Sequence, residues 1–274
     1  MITCNAKIIV AGEHAVLDNS PALVLPVKNH SLDLNVSENH KFSVTYAGDS
    51  NINNANQILQ DFILNAANLC QKTPYDQWNF NNNIPVGVGL GFSAALAALV
   101  AKHFASIGYI KAHEVFALAH ELEQPIHGHS SGCDIAGTLA NNPIVYKMTN
   151  EITRLNQWSP SLAWTRTKAK SNTKDQVKKV KEQDKKSLFK MQEAAELAIN
   201  AWQQENILML STAMTMAESC FLSWNLVTRE MADITQELKD MGALACKPSG
   251  AGGGGCILSL WPNKFNHEGL NWIH

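Results

Sequence analysis

The amino-acid sequence predicts an α+β protein with two lobes. Three observations support this fold class. Segments with strand-like and helix-like patterns alternate in both halves of the 274-residue chain. A glycine-rich loop runs directly into an apolar helix within residues 85–104. A more polar and more highly charged region, 150–186, follows the first half, so we place the domain boundary near its start, with domains at 1–155 and 156–274.

The composition argues against nucleic acid or membrane surfaces as partners. Hydrophobic residues make up 45% of the sequence, which provides an ample core, and the formal net charge is −2 with both signs mixed. Such a balance lacks the basic footprint that binds nucleic acid or anionic lipid. The six cysteines show no zinc or disulfide spacing, and the apolar run near the N-terminus is too short for a signal peptide or a membrane span. We therefore expect a cytoplasmic location and a small-molecule substrate, and a homodimer is left open.

The first part of the chain is predicted to form a β-sheet and one helix. Four strands are predicted from β-rich or alternating runs, at residues 6–11, 22–27, 32–36 and 42–46. A turn at Asp18–Pro21 joins the first two, and the last two alternate apolar with polar residues, as half-buried antiparallel strands do. After an asparagine-rich loop at 51–56, helical spacing predicts a helix over 57–70, and the run 78–85 returns to the sheet.

The remainder of the chain is mostly helical. Helices are predicted over 111–124, from Asp134 onward, and over 188–202, 207–216 and 221–241. Pro125 is expected to end the first of these and Gly242 the last. Thr173 and Gln176 form a capping box, so the lysine-rich segment after them is predicted as a solvated helix. Strands are predicted at 144–146, 243–246 and 256–261.

The glycine loop and the helix behind it, PVGVGLGFSAALAALVAKHF, organise the chain. Its glycines alternate at Gly87, Gly89 and Gly91, so the backbone can approach a ligand closely. The helix begins near Ser93, and the unpaired amides at a helix start bind anions. Phe92 and Ser93 follow Gly91, which excludes a Walker A loop and a dinucleotide fingerprint. We interpret the loop as a phosphate-binding turn, with a turn that binds no ligand as the alternative.

Three further loops carry polar residues beside the end of a strand or helix, at 7–14, 127–134 and 247–255. Together with the glycine loop they hold a lysine, several carboxylates and two glycine-rich turns. Phosphoryl transfer needs such an inventory, because it depends on positioning, a metal ion, a base and a cation for the developing charge. The sequence therefore predicts one phosphoryl-transfer site built from four loops.

Three motifs in order resemble those of the GHMP kinase superfamily and span residues 6–260. The middle motif, PVGVGLGFSAA, resembles Pro-x-x-x-Gly-Leu-Gly-Ser-Ser-Ala, and KPSGAGGGGC resembles the family's C-terminal glycine loop. The first motif, AKIIVAGEHAVL, and the stretch HGHSSGCD are similar to the mevalonate kinases of this family. The resemblance implies a two-lobed GHMP kinase fold, with a ribosomal S5 domain 2-like N-terminal lobe and a ferredoxin-like C-terminal lobe.

The resemblance also implies roles for individual residues, with ATP and Mg²⁺ as cofactors. Asp134 falls at the position of the catalytic aspartate and Lys7 at that of the lysine that supports it. Taken alone, Asp134 beside Gly132 would be read as a helix N-cap. The expected nucleotide-binding residues are Gly87, Val88, Gly89, Leu90, Gly91, Phe92 and Ser93. The expected metal ligands are Ser93 and Glu123, and the expected substrate contacts are Glu13, His14, Ser249, Gly250 and Ala251.

Three other polar residues near these motifs are assigned no role in the site. Glu121 lies two residues from Glu123, and on a helix the two side chains point in different directions. His127 and His129 are interpreted as turn or packing residues, because a His-x-His pair alone is weak support for a metal.

The implied activity is ATP- and Mg²⁺-dependent phosphorylation of the 5-hydroxyl of mevalonate, for isoprenoid synthesis, by a small-molecule kinase. Two departures bear on it, since Phe92 replaces the first serine of the usual pair and Ser249 stands where threonine is usual. One alternative keeps the fold and changes the acceptor to phosphomevalonate, homoserine or a sugar. The other is a catalytically silent homologue that binds a metabolite, because fold alone does not imply function.

Overall fold

The computed structural model describes residues 1–49, 54–127, 130–149, 151–169, 176, 180 and 185–273. These residues form an α+β fold with two β-sheets, which confirms the predicted class. The strands of the N-terminal sheet are β1 (Ile2–Ala11), β2 (Ala22–Ser37), β3 (Ser43–Ala47), β4 (Gln77–Asn82), β5 (Ile144–Lys147) and β6 (Glu151–Arg154). Their order is β3-β4-β2-β5-β6, with β1 also paired to β2.

The C-terminal sheet is antiparallel throughout. Its strands are β7 (Ser161–Arg166), β8 (Ala245–Ser249), β9 (Cys256–Trp261) and β10 (Asn271–Trp272), in the order β10-β7-β9-β8. The N-terminal sheet ends at Arg154 and this one begins at Ser161, so the predicted boundary after residue 155 falls in the connection between the sheets. The division into two domains stays a prediction.

Helices cover both sheets. They are α1 (Ala55–Leu69), α2 (Phe92–Ser106), α3 (Val115–His127), α4 (Cys133–Leu139), α5 (Lys185–Gln203), α6 (Ile207–Ser223) and α7 (Arg229–Asp240), with 3₁₀ turns at Ala15–Asp18 and Ala112–Glu114. Helix α2 is the most deeply buried, since every residue from 94 to 101 is inside the core. Its sequence is apolar on nearly all sides because it has no face toward water.

One hydrophobic core runs through both lobes. It joins Val10 of β1 and Leu96 of α2 to Ala198 of α5, Phe221 of α6 and Leu258 of β9. The helices of the C-terminal half therefore pack on the N-terminal sheet as well as on their own. The two lobes meet over a shared apolar surface, and the predicted site loops lie where they meet.

The N-terminal sheet differs from the prediction in two places. The strands expected at 22–27 and 32–36 are one strand, β2, because a bulge at residues 28–30 bends the strand without ending it. Strand β3 pairs in parallel with β4, where an antiparallel strand was expected. The cause is α1, which lies between β3 and β4 and carries the chain back to the end from which it started.

Several helix and strand predictions were also wrong. Pro125 lies inside α3, which continues to His127, so the missing amide affects only the last turn. Helix α6 continues through residues 217–220, where a break was expected, because Ala217 and Cys220 pack into the core. The chain turns afterwards, at 224–228. Strands β6 and β7 lie in a region that was read as merely polar.

The strand predicted at 243–246 runs over Ala245–Ser249, so the first residues of the loop predicted at 247–255 belong to β8. One helix end stands as predicted, and some predictions fall outside the described residues. Gly242, with φ of 102°, follows the end of α7, as predicted. The asparagine-rich loop predicted at 51–56 is described only from residue 54, and Thr173 of the capping box and His129 lie outside the described residues. His127 is described only as the last residue of α3.

Candidate active site

A cavity of about 300 Å³ lies between the two lobes. Most of the predicted site residues line it, namely Lys7, Glu13, His14, Gly87, Gly89, Gly91, Phe92, Ser93, Glu123, Asp134, Ser249, Gly250 and Ala251. These residues come from four separate stretches of the chain, and the fold brings the four together. The arrangement combines carboxylates, a lysine and two glycine loops in one enclosure.

Lys7 and Asp134 form an ion pair in this cavity. Lys7 lies on β1, and its Nζ is 2.7 Å from Oδ1 of Asp134 and donates to the carbonyl of Gly89 at 3.1 Å. Burial lowers the pKa of Lys7, but the charge and hydrogen bond of Asp134, with help from Glu123, outweigh that effect and raise the pKa above its ordinary value. Lys7 therefore stays charged although it is buried.

Two glycines make room for the stem of Lys7. A Cβ on Gly91 would lie 2.8 Å from Cε of Lys7, and a Cβ on Gly137 would lie 2.9 Å from Cβ of Lys7. Any larger residue at either position would displace the lysine. Gly137, in the middle of α4, was not recognised from the sequence, since its role depends on a neighbour 130 positions away in the chain.

Asp134 lies in the first turn of α4 and remains accessible. Gly132 is the N-cap of this helix, so the alternative role of Asp134 as a capping residue does not apply. The side chain of Asp134 is 34% exposed, while that of its partner Lys7 is 1% exposed. The carboxylate can therefore meet a substrate from the cavity side.

Glu123 of α3 is buried close enough to the same pair to interact electrostatically with both of its members. Ser130 donates a hydrogen bond from Oγ to Oε2 of Glu123 at 2.6 Å. Burial first, and then the negative charge of Asp134, raise the pKa of Glu123 to about 7, while Ser130 and Lys7 oppose the shift. Glu121, two residues earlier, is exposed, as helix geometry predicts.

The turn that leads to Asp134 is held by side chains outside the motifs. The ring of His120 and the amide of Gln124 both contact the backbone of Ser130, with His120 Nε2 2.9 Å from its carbonyl oxygen. The hydroxyl of Tyr146 donates to the carbonyl of Ser131 at 2.6 Å. None of these supports was predicted, because each acts through a contact that the motif letters do not encode.

The first glycine loop adopts the backbone that its composition predicts. Gly87, Gly89 and Gly91 have φ of 79°, 84° and 81°, which residues with a side chain rarely adopt. Val88 and Leu90, predicted to bind the nucleotide, turn their side chains into the hydrophobic core, because apolar groups in this loop gain more from burial. Only their backbone groups remain for a ligand.

The second glycine loop packs directly on the first. A Cβ on Gly89 would lie 3.0 Å from the carbonyl oxygen of Ser249, and a Cβ on Gly255 would lie 3.1 Å from that of Val88. Glycine at these positions lets the two backbones approach. The close packing brings Ser249, Gly250 and Ala251 into the same cavity as the first glycine loop.

Glu13 and His14 line the same cavity, beside the second glycine loop. Glu13 pairs with Lys247, a buried lysine of β8, at 2.5 Å between Nζ and Oε1. The ring of His14 hydrogen-bonds through Nε2 to the carbonyl of Ala251 at 3.0 Å. Burial lowers the pKa of His14 to about 4, so the ring is neutral near pH 7. Lys247 was not predicted, although a lysine within an apolar strand is the signal that singled out Lys7.

The sequence of this chain is similar to those of known proteins. The family model for the GHMP kinases N terminal domain matches residues 59–142, and that for the GHMP kinases C terminal matches 208–266, together more than half of the chain. The mevalonate kinase of Thermococcus sibiricus is 26% identical over 94% of this chain and 88% of its own, and that of Pyrococcus furiosus is 25% identical over the same shares.

Solved structures share the fold across several acceptors. L. major mevalonate kinase in complex with R-mevalonate has a TM-score of 0.81 at 20% identity, covering 96% of this chain and 87% of its own. Streptococcus pneumoniae phosphomevalonate kinase in complex with phosphomevalonate and AMPPNP has a TM-score of 0.77 at 17% identity, covering 96% and 92%. Lactococcus lactis galactokinase complexed with galactose has a TM-score of 0.74 at 13% identity, covering 95% and 84%.

Within the part of the chain that the structure describes, helices are too short or too polar to cross a bilayer.

Proposed function

Since this chain belongs to the GHMP kinase family, we propose that it transfers the terminal phosphoryl group of ATP to the 5-hydroxyl of mevalonate, giving 5-phosphomevalonate and ADP. The observation that carries the proposal is the ion pair of Lys7 and Asp134 at 2.7 Å, enclosed in one cavity with the glycine loop and Glu123. Phosphoryl transfer is catalysed mainly by positioning and electrostatics, and this cavity supplies both.

Asp134 is the proton acceptor in this proposal. Its carboxylate is open to the cavity and can reach the hydroxyl of a bound acceptor. The hydroxyl gives its proton to Asp134 while its oxygen forms a bond to the terminal phosphorus of ATP. The bond between that phosphorus and the bridging oxygen breaks, and ADP leaves.

Lys7 supports this step through its fixed positive charge. The charge favours the ionised form of Asp134 and attracts electron density from the reacting hydroxyl. The carbonyl of Gly89 and the carboxylate of Asp134 both bind Nζ, so the lysine is already in place before substrate binds. A preorganised charge does not have to be reoriented during the reaction, which is the main source of electrostatic catalysis.

The nucleotide phosphates fit the first glycine loop and the start of α2. Three left-handed glycines expose backbone groups there, and the positive end of the α2 dipole points to the same place. Phe92 and Ser93 are the first residues of the helix and line the cavity. Phe92 adds apolar surface where the family pattern has a hydroxyl, and Ser93 keeps its hydroxyl.

The donor set suits Mg²⁺. Glu123 and Ser93 line the same cavity and offer a carboxylate and a hydroxyl, the hard oxygen donors that this ion prefers. Within the described ranges no group of three or more His, Cys, Asp and Glu side chains could hold a metal. The phosphate oxygens of the nucleotide would complete the shell, as is usual for Mg²⁺. When bound, the ion supplies positive charge that neutralises the phosphates.

Mevalonate is the acceptor that the relatives favour. The curated relatives that cover most of this chain are named mevalonate kinase, whereas the solved structures with this fold bind several acceptors. Glu13 and His14 line the cavity beside the second glycine loop, and we assign this part of the cavity, the acceptor end, to substrate binding. All six cysteines are free thiols, which supports the cytoplasm as the site of the reaction.

The test is a coupled assay that follows ADP release with ATP and Mg²⁺ against mevalonate, phosphomevalonate, homoserine and galactose. We expect turnover with mevalonate and none above background with the other three. Turnover with a different member of the panel would keep the Lys7 and Asp134 chemistry and overturn the acceptor. Binding of ATP without turnover of any acceptor would favour the silent homologue.

A further inference from the structure

A second buried lysine reaches the acceptor end of the cavity from the C-terminal sheet. Lys247 is fully buried on β8, and its Nζ donates to Oε1 of Glu13 at 2.5 Å and to the carbonyl of Ile9 at 3.3 Å. The same Nζ lies 5.4 Å from the ring centroid of Phe221. A charged amine in such a place needs an anionic partner, because an isolated buried charge is very costly.

Besides the two bonds of Lys247, two further polar contacts tie residues 9–14 to the other lobe. Ser249 donates from Oγ to the carbonyl of Ile9 at 3.3 Å, and His14 contacts the carbonyl of Ala251 at 3.0 Å. Glu13 follows a strand of the N-terminal sheet, while Lys247 lies on the C-terminal sheet. The acceptor end of the cavity is therefore built jointly by the two lobes.

Lys247 occupies only one of the two carboxylate oxygens of Glu13. The other, Oε2, is buried and has no hydrogen-bond partner among the residues that the structure describes, and Glu13 lines the cavity. A buried carboxylate oxygen without a partner is rare, since it loses its hydration and gains nothing in return. A bound ligand with a hydrogen-bond donor would satisfy it.

His14 presents the same kind of group. Its Nε2 faces a carbonyl oxygen, so this nitrogen must carry the hydrogen. The neutral ring then has a lone pair on Nδ1, which can only accept a hydrogen bond. Glu13 and His14 are adjacent in the chain and both line the cavity. Together they offer two acceptor atoms, which suit the hydroxyl groups of a ligand.

We infer that Lys247 is a positioning residue for recognition of the phosphoryl acceptor: it holds Oε1 of Glu13 so that Oε2 stays available to accept from a hydroxyl group of that acceptor. The inference rests on the proposed function, because it assumes that the ligand at Glu13 is the molecule to be phosphorylated. It adds a residue from the C-terminal lobe to acceptor binding.

Lys247 should affect binding of the acceptor and not binding of the nucleotide. Without Lys247, Glu13 loses its fixed orientation, and the hydrogen bond to the acceptor weakens. The nucleotide end depends on Gly87, Gly89 and Ser93, which Lys247 does not contact in the described structure. Loss of Lys247 should therefore weaken acceptor binding and leave ATP binding nearly unchanged.

The experiment measures equilibrium binding by calorimetry, with mevalonate and, separately, with a non-hydrolysable ATP analogue. The variants are Lys247→Met, Glu13→Gln and the double variant, and Lys239→Met is the matched control. Lys239 also binds a carboxylate, that of Glu218 at 2.9 Å, but on the surface and away from the cavity. Thermal unfolding of each variant accompanies the binding data.

We expect Lys247→Met to weaken mevalonate binding by about tenfold or more, the size of effect that loss of a hydrogen bond to a charged group has, and to change ATP-analogue binding by less than about threefold. If Lys247 acts through Glu13, then Lys247→Met made in the Glu13→Gln background should weaken mevalonate binding further by less than about threefold. Lys239→Met should change neither affinity. A purely structural role for Lys247 would not produce this dependence on Glu13.

Three outcomes would overturn the inference. Lys247→Met could bind mevalonate as tightly as wild type, could lose both ligands equally, or could lose as much affinity in the Glu13→Gln background as in wild type. If Lys247→Met does not fold, the double variant, which has no buried charge from this pair, is compared with Glu13→Gln alone. If the double variant binds mevalonate more than about tenfold more weakly than Glu13→Gln, the inference is overturned. Nearly equal affinities of the two variants support it.

The proposed function can fail separately. If wild type binds another acceptor of the panel, the same variants are compared with that acceptor. If wild type binds none of the four, the proposed function and this inference fall together.

Discussion

Two buried lysine–carboxylate pairs flank one cavity, and they differ in what surrounds the carboxylate. Lys7 binds Asp134, whose side chain is 34% exposed, whereas Lys247 binds Glu13, whose side chain is 2% exposed. An accessible carboxylate can exchange a proton with a substrate hydroxyl, while a buried carboxylate that a lysine holds in place keeps a fixed orientation toward a ligand in the cavity. The comparison suggests that the first pair serves the chemistry and the second serves binding geometry.

Breaking the pair of Lys7 and Asp134 should change catalysis more than any other substitution below. Replacing Lys7 with Met removes the charge that favours ionised Asp134 and stabilises the reacting oxygen. We expect kcat to fall by about 10² to 10⁴, the range for loss of a group engaged in proton transfer, with a much smaller change in KM for the acceptor. Steady-state kinetics measures both.

The Lys247→Met variant is the counterpart for this prediction, because it should change mainly the acceptor KM. If Lys7→Met raised the acceptor KM and left kcat unchanged, the division of labour between the two pairs would be wrong.

The second prediction concerns stability. Here the loss of Lys247 should cost more free energy of unfolding than the loss of Lys7. Removing Lys247 leaves Glu13 buried without a partner, and breaking a buried pair in this way costs about 3 to 5 kcal/mol in free energy of unfolding. Removing Lys7 should cost less, because Asp134 can be hydrated. Urea unfolding compares both variants with Lys239→Met, which breaks a surface pair and should cost about 1 kcal/mol or less.

A cost for Lys7→Met equal to or greater than that for Lys247→Met would mean that exposure of the carboxylate does not distinguish the pairs.

The pattern of these contacts shows what the sequence could and could not predict. Lys7, Glu13, His14, Ser93, Glu123 and Asp134 were identified because they fall on family motifs, and the structure brings them into one cavity. Lys247, Ser130, Tyr146 and Gly137 were not identified as site residues. Each of these acts through a partner that only the folded chain brings close, as with Lys247 and Glu13, 234 positions apart.

The fold shows the same limit. Helix α2 and strand β9 followed from local patterns, because their burial is written in consecutive residues. The parallel pairing of β3 with β4 and the continuation of α6 past residue 216 depend on packing against distant parts of the chain. Local propensity carries no information about those neighbours.

A smaller effect uses pH to test the burial of His14. Burial lowers the pKa of His14 from 6.5 to about 4, so the unfolded chain binds a proton there that the folded chain does not. The contribution of His14 to stability is present above pH 6.5 and is lost as the pH falls toward 4. At 1.4 kcal/mol per pH unit, wild type should lose about 2 kcal/mol from this group between about pH 8 and about pH 5.

The matched variant is His14→Asn, which tolerates the positive φ of 62° at this position. Its free energy of unfolding should lack this part of the pH dependence, whereas the raised pKa of Glu13 and of Glu123 acts in both proteins. Identical pH profiles for the two proteins would contradict a neutral, buried His14.

The smallest effect concerns the hydroxyl that holds Glu123. Ser130→Ala removes a hydrogen bond of 2.6 Å, and loss of a group that orients a metal ligand weakens metal binding by roughly tenfold. Electron paramagnetic resonance of Mn²⁺ bound with ATP measures this affinity without turnover. Ser131→Ala is the control, since its hydroxyl accepts from the amide of Cys133 at 3.2 Å. Equal losses in the two variants would mean that Ser130 has no particular part in orienting Glu123.

In the proposed reaction, Asp134 accepts the proton of the mevalonate hydroxyl while ATP is held elsewhere in the cavity. A single-turnover experiment with ATP labelled in its terminal phosphate, comparing wild type with Asp134→Asn at saturating mevalonate, tests it most directly. We expect wild type to transfer the label to mevalonate, and the variant to do so at a rate lower by about 10² or more, with ATP affinity unchanged. Transfer at the wild-type rate by Asp134→Asn would contradict it.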